Sequence, residues 1–221
     1  MANLRALNKK GFEYVCGVDE AGRGPLAGPL SLSFFVISLK DHEKVLKPLL
    51  KEGLNDSKQI KEKRREFIYE ILRSNLGSVN NKPKNIKMTD SKVGPCFFNS
   101  MISAEQIDRY GISKCYKILI QRLLKKVSNT KNTYFLLDGS IKFPEKINHE
   151  VIIKGDSIEP TIMAASIVSK VMRDRKMKVL AKKYPKYNLE IHKGYGTKKH
   201  REAIKKFGTS KIHRKSFCRN I

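Results

Sequence analysis

Short apolar runs that end in carboxylates alternate along this chain with longer stretches whose apolar residues recur at helical spacing. Val15-Cys16-Gly17-Val18 runs into Asp19 and Glu20, and residues 30–39 form a second β-rich run after a Gly/Pro-rich turn, so the pair predicts neighbouring strands. Over residues 57–73, Ile60, Phe67, Ile68, Ile71 and Leu72 keep helical spacing, with Ser57 as the N-cap. Residues 74–100 mix Asn, Gly, Pro and Lys without a period, which predicts an exposed loop before Cys96-Phe97-Phe98 begins a strand. Ser103-Ala104-Glu105-Gln106 has the form of a helix start, and Cys115, Ile118, Leu119, Leu123 and Leu124 predict a helix over 112–127. Tyr134-Phe135-Leu136-Leu137 reads as a strand covered on both faces and ends in Asp138, while Val151-Ile152-Ile153 reads as a short strand before Lys154-Gly155-Asp156. A helix is predicted over 158–184 with Pro160 in its first turn, and a last amphipathic helix over 198–207.

Strands alternating with helices predict an α/β fold, a sheet with helices packed against it. At 221 residues the chain suits one compact domain, with residues from about 185 to 221 as a C-terminal helical extension. Lys and Arg number 46 against 21 Asp and Glu, a formal net charge of +25, so the surrounding field attracts polyanions. Charge nominates nucleic acid as a partner class without naming a function, because a general basic bias would produce the same total. Cys16, Cys96, Cys115 and Cys218 form no CxxC pair, which argues against a zinc site or a disulfide framework and fits a reduced, cytoplasmic setting. No apolar window approaches a membrane span.

Candidate chemistry changes this picture at one segment above all, Asp19-Glu20-Ala21-Gly22-Arg23-Gly24-Pro25. Neighbouring residues on a strand face opposite ways, so two adjacent acids reach one centre only if the strand stops or one acid acts from the turn. An isolated acidic pair in a turn is ordinarily solvated. Gly22-Arg23-Gly24 alters that balance, because glycines let a backbone approach a sugar-phosphate chain and Arg can contact phosphate through two bonds. The spacing matches neither a dinucleotide-binding fingerprint nor a P-loop.

The segment resembles the signature of the type 2 ribonucleases H, and the resemblance continues through Leu54-Asn55-Asp56-Ser57-Lys58, Leu137-Asp138-Gly139, Lys154-Gly155-Asp156-Ser157, Ala164-Ala165-Ser166-Ile167, Lys170-Val171, Arg173-Asp174-Arg175, His192-Lys193-Gly194-Tyr195-Gly196-Thr197 and Ile212-His213-Arg214. Arg23 between the two glycines, and the short stretch before Asp19, resemble the ribonuclease HII family more than the type 3 enzymes. Ser140 and Gln59 depart from the usual pattern and remove no acid. The resemblance implies a ribonuclease H-like fold with a mixed central sheet flanked by helices. It also implies catalytic and metal-holding roles for Asp19, Glu20, Asp138 and Asp156, acting through two Mn²⁺ or Mg²⁺ ions, a choice that an all-oxygen ligand set supports. Clustered carboxylates repel one another, and cations relieve that repulsion. The implied substrates are RNA/DNA hybrids and DNA duplexes carrying single ribonucleotides, cut to leave 3′-hydroxyl and 5′-phosphate ends. The implied ribose recognition falls on Gly22, Arg23, Gly24 and Tyr195, although Tyr195 also suits simple packing. Lys58, Lys170 and Arg23 are the candidates for phosphate contacts. Asp174 reads either as a supporting acid or as part of a surface ion pair with Arg173 and Arg175, and Asp56 reads equally well as a helix cap. His192 and His213 lack ligand-spaced partners and are expected to be hydrogen-bonded or exposed. A monomer is expected, and a sliding clamp stays open as a partner without a residue that argues for it.

Overall fold

A computed structural model describes residues 3–74, 94–127, 129–139 and 141–221. The centre of the predicted loop, residues 75–93, and Ser140 lie outside the described residues. Helix α1 (Leu4–Lys9) precedes strands β1 (Tyr14–Ala21) and β2 (Leu30–Ser38). Helices α2 (His42–Lys51) and α3 (Glu62–Ser74) precede β3 (Cys96–Ile102), and α4 (Ala104–Tyr110) with α5 (Ile112–Leu124) precede β4 (Thr133–Asp138) and β5 (His149–Ile152). Helices α6 (Gly155–Ile158), α7 (Pro160–Lys183), α8 (Leu189–His192) and α9 (Lys198–Phe207) follow. The five strands lie in the order β3-β2-β1-β4-β5. β1 is antiparallel to β2 and parallel to β4, so the sheet is mixed.

Alternation along each strand separates two cores. Cys16 and Val18 of β1, with Phe135 and Leu137 of β4, pack with Cys115, Leu119 and Leu123 of α5. Val15 and Leu136 face the other way, onto Ile162, Ala165 and Val168 of α7. Helix α7 sits so close to β1 that a Cβ on Gly17 would lie 2.1 Å from the Thr161 carbonyl oxygen. Ser103 caps α4 as its sequence predicts, accepting from Gln106 N–H while the Gln106 side chain accepts from Ser103 N–H.

Three expectations are corrected. The helix predicted from Ser57 starts at Glu62, because Ser57 is buried with its hydroxyl on Ser166 and Asp56 accepts from Lys58 N–H in a local turn rather than capping a helix. The helix predicted from Ile158 starts at Pro160, because Ile158 closes α6 and Glu159 caps α7 by accepting from Thr161 N–H. The strand β1 does not stop before its acids but runs through Asp19 and Glu20 to Ala21. Helices α1 and α2 were not anticipated; charges interrupt the first, and Pro48 lies inside the second. Among the described residues no helix is long and apolar enough to cross a membrane.

The C-terminal segment builds a third core, in which Leu189, Ile204 and Ile212 pack against Leu26, Ala27 and Met177. Three histidines are buried beside it: His192, His200 and His213. The hydrogen-bond network assigns their tautomers. His192 donates from Nε2 to the Tyr187 carbonyl and accepts at Nδ1 from Gly194 N–H. His200 donates from Nδ1 to the Tyr195 carbonyl, and its Nε2 accepts from His213 Nε2 at 3.2 Å. His213 Nδ1 accepts from Ser210 N–H. All three are therefore neutral, and burial holds their pKa values below normal, that of His200 down to about 4. The unfolded chain takes up these protons first, so the stability they contribute is present above about pH 6.5 and is lost as pH falls toward the folded values. In an NMR titration the His200 imidazole should remain neutral at pH 5.5, where an unperturbed histidine is mostly charged, and His192 and His213 should titrate below the ordinary histidine value; protonation of His200 near pH 6.5 would contradict the network.

Candidate active site

Strand register brings the first two acids together. Val18 pairs with Leu137 in the parallel β1–β4 ladder. One step further along each strand stand Asp19 and Asp138, on the face that carries Gly17 and Leu136 and is covered by α7. Asp156 arrives from α6, and its N–H donates to Asp138 Oδ1 at 3.3 Å. One carboxylate oxygen from each of Asp19, Asp138 and Asp156 lies within 4.8 Å of the others. Alternation places Glu20 on the opposite face of β1, outside that trio and beside Tyr116 of α5. The Tyr116 hydroxyl is buried without a well-aligned hydrogen bond, and the Glu20 carboxylate is the acceptor beside it.

Two serines one helical turn apart on α7 fix Asp19. Ser169 donates from Oγ to the Asp19 carbonyl at 2.7 Å, and the Ser166 hydroxyl lies beside the Asp19 carboxylate and favours its charge. Ser166 in turn meets the Ser57 hydroxyl at 2.8 Å. These residues were missed as site residues; the available signal was two hydroxyls at i and i+3 in an otherwise apolar helix, with Ser57 inside a matched motif. Burial, then the charge of Glu20, pushes the Asp19 pKa well above the usual carboxylate range, with Ser166 opposing. Burial also raises Glu20, offset in part by Tyr116 and Arg23. Burial and the neighbouring Asp156 raise Asp138. Such a cluster resists holding its charge alone, and its all-oxygen donor set fits hard divalent cations.

Lys58 supplies part of the missing positive charge, donating from Nζ to Asp156 Oδ2 at 2.8 Å while its side chain stays 71% exposed. Burial disfavours its charge, but the bond to Asp156 holds its pKa above normal. Lys170 is placed differently from its expected phosphate contact. Its ammonium donates to Asp174 Oδ1 at 2.8 Å, with only 16% of its side chain exposed. Asp174 is buried and also faces Arg65 at 3.5 Å, so it is not part of a surface ion pair with its sequence neighbours.

Gly22, Arg23 and Gly24 leave the end of β1, with Arg23 and Gly24 exposed. Gly22 has φ +88, and a Cβ there would lie 2.0 Å from Arg173 Nε; Gly24 has nothing within 4 Å of a Cβ. The fold therefore explains Gly22 and leaves Gly24 unexplained. Tyr195 is 44% exposed, its ring 5.7 Å from the Arg173 guanidinium carbon.

A mixed sheet in this strand order, with acids at the adjacent ends of β1 and β4, defines the ribonuclease H-like class. Two solved structures share the fold. The ribonuclease H2 from Pyrococcus horikoshii OT3 superposes with TM-score 0.66 at 23% identity, over 93% of this chain and 95% of that one. Bst-RNase HIII in complex with Mn²⁺ gives 0.64 at 14%, over 96% and 67%. The chain belongs to the ribonuclease HII family, whose model matches residues 16–220. It is 39% identical over 213 residues to the ribonuclease HII of Sulfurihydrogenibium sp. (strain YO3AOP1), covering 96% of this chain and 94% of that relative. It is accordingly a ribonuclease H, a hydrolase that cuts RNA/DNA hybrids internally.

The sign of the Asp19 shift yields a stability test. A raised folded pKa means that the native state binds the proton more tightly, so stability falls as pH rises from the ordinary carboxylate pKa through the raised one. Asp19→Asn should therefore raise the Tm of the metal-free protein at pH 8 by about 2–4 °C while abolishing most of the Tm gain produced by Mn²⁺. Calorimetry with and without Mn²⁺ reads both, and an undiminished Mn²⁺ gain would remove Asp19 from the metal centre.

Proposed function

We propose that this chain cuts the RNA strand of hybrids, and the 5′ side of single ribonucleotides within DNA, by hydrolysis at a centre formed by Asp19, Glu20, Asp138 and Asp156. The observation that carries this reading is the convergence of the carboxylates of Asp19, Asp138 and Asp156 within 4.8 Å from three separate elements. With Glu20 beside them, they would hold two Mn²⁺ or Mg²⁺ ions. When bound, such ions supply a nucleophilic water at neutral pH and stabilise charge on the departing 3′ oxygen. The products would carry 3′-hydroxyl and 5′-phosphate ends. The known Mn²⁺ complex of Bst-RNase HIII, which has the same fold, supports the choice of cation.

The chain's own residues orient the reactants. Ser166 and Ser169 hold Asp19 in one position, and Asp156 orders the Lys58 ammonium at the rim, where it can meet a phosphate as a point charge. Arg23 projects from an exposed turn toward the same use. Hydrolysis of this kind does not employ the 2′-hydroxyl as nucleophile, so selection of RNA falls to groups that recognise that hydroxyl. The Gly22-Arg23-Gly24 turn and the half-exposed Tyr195 are assigned to it. Gly24 supports the assignment, since its missing side chain serves nothing inside the protein and would serve close approach of a substrate.

A duplex with one ribonucleotide, incubated with and without Mn²⁺, tests substrate and chemistry together. Mn²⁺-dependent cutting on the 5′ side is expected, and tight binding without cutting under either metal would leave only a binding protein. Gly24→Ala should keep or slightly raise thermal stability, since its backbone does not require glycine, yet weaken duplex binding about tenfold. Normal affinity in that variant would take the turn off the substrate. Tyr195→Ala should reduce cutting at single ribonucleotides more than within long hybrids; equal losses would mean that the ring only packs.

A further inference from the structure

Two arginines lie completely buried beneath the recognition turn, Arg173 and Arg214. Among the described residues their hydrogen bonds all go to main-chain carbonyls. Arg214 donates to the carbonyls of Gly22 at 2.6 Å, Arg23 at 2.7 Å and Gly28 at 3.1 Å. Arg173 donates to those of Pro29 at 3.0 Å, Ala27 at 3.3 Å and Lys193 at 2.9 Å, and its Nη1 has no partner. A buried charge with no carboxylate hydrogen-bonded to it is expensive, and burial pulls both guanidinium pKa values down, with Asp174 and Asp108 only partly opposing. Packing alone gives no reason for two such residues here.

The geometry of the peptide unit supplies one. A trans peptide is planar, with its C=O and N–H pointing in opposite directions. Turning the Gly22 and Arg23 carbonyls inward onto Arg214 therefore turns the N–H groups of Arg23 and Gly24 outward, on the two residues of the turn that are exposed. Arg173 ties the same segment to the Tyr195 turn. It holds Ala27 and Pro29 on one side and Lys193 on the other, and its guanidinium faces the Tyr195 ring. Gly194 completes the joint, its carbonyl accepting from the N–H groups of Leu26 and Ala27. A Cβ on Gly194 would lie 2.3 Å from the Ala27 oxygen.

We propose that Arg214 and Arg173 are positioning residues for ribose recognition: they set the outward aim of the Arg23 and Gly24 amides and lock that turn to Tyr195 as one rigid reader. The positive charge beneath the turn also favours an anionic backbone above it. The inference rests on the reading that this turn and Tyr195 contact the substrate.

Arg214→Lys keeps the charge but cannot bond three carbonyls in the same fork. With a duplex carrying one ribonucleotide, its KM should rise about tenfold, the equivalent of about 1.4 kcal/mol, and its preference for that duplex over a long hybrid should shrink. Its Mn²⁺-induced Tm gain should match the parent's, showing the acid cluster intact. An unchanged KM and preference in a folded Arg214→Lys protein would overturn the proposal while leaving the proposed function standing. Arg173→Lys carries the same expectation if Arg214→Lys does not fold. A measurement on the unaltered protein stands beside both: in metal-free NMR titration with the duplex, the Arg23 and Gly24 amide signals should shift. Failure of both amides to respond while the duplex binds would also overturn the proposal. Loss of duplex cutting by the parent itself would instead refute the proposed function.

Discussion

The site depends on an anion held between β1 and α7. Asp19 keeps only 3% of its surface exposed, in a position where a carboxylate is unstable without strong partners. The close crossing of α7 over β1, which leaves room only for glycine at position 17, brings Ser166 and Ser169 within bonding distance. Those hydroxyls orient the acid without neutralising it. The remaining electrostatic deficit is of the kind a cation relieves, so the packing that raises the Asp19 pKa suits the proposed metal centre. Strand alternation then gives the adjacent Glu20 a different environment, against α5 and Tyr116. Two neighbouring acids thus leave opposite faces of an unbroken strand, and only Asp19 joins the trio with Asp138 and Asp156.

Much of this was legible from residue order. The apolar runs ending in Asp138 and in the Asp19-Glu20 pair marked two strands with acids at their ends, and the parallel register places the first acid of that pair level with Asp138. The start predicted at Ile158 fell two residues before α7 begins at Pro160, and Ser103 with Gln106 marked the start of α4. What escaped was tertiary. Ser57 has the composition of a helix cap, but its hydroxyl bonds a serine 109 positions away, a competitor that local propensity does not see. Lys170 read as a phosphate contact, but α7 turns its ammonium toward Asp174. Of the two roles open to His192 and His213, the structure takes the hydrogen-bonded one, with His192 of α8 stacked on His200 of α9 and His200 bonded to His213, a gathering of three rings that their spacing does not announce.

The buried arginines illustrate the same limit from the opposite direction. Nothing in an Arg-Asp-Arg triplet or in the stretch before the C-terminus tells which guanidinium enters the interior. Arg175 stays at the surface on Glu66 and Glu70, while Arg173, two residues earlier, is fully enclosed. Helical geometry decides the difference: two residues apart on a helix is about 200° of rotation, so the two side chains leave on nearly opposite sides.

Net charge bears on the proposed recognition by a rigid turn. With +25 formal charges the protein attracts any polyanion, and that attraction is strong, long-ranged and indifferent to sugar. Affinity is therefore not the scarce quantity. Discrimination between a ribose and a deoxyribose turns on a single hydroxyl and must come from groups whose positions vary less than a hydrogen-bond length. Surface lysines on flexible stems cannot meet that tolerance, whereas main-chain amides fixed from below by guanidinium forks can. In the proposed reading the two tasks separate, attraction falling to the charged surface and selection to the turn that carries Arg23 and Gly24.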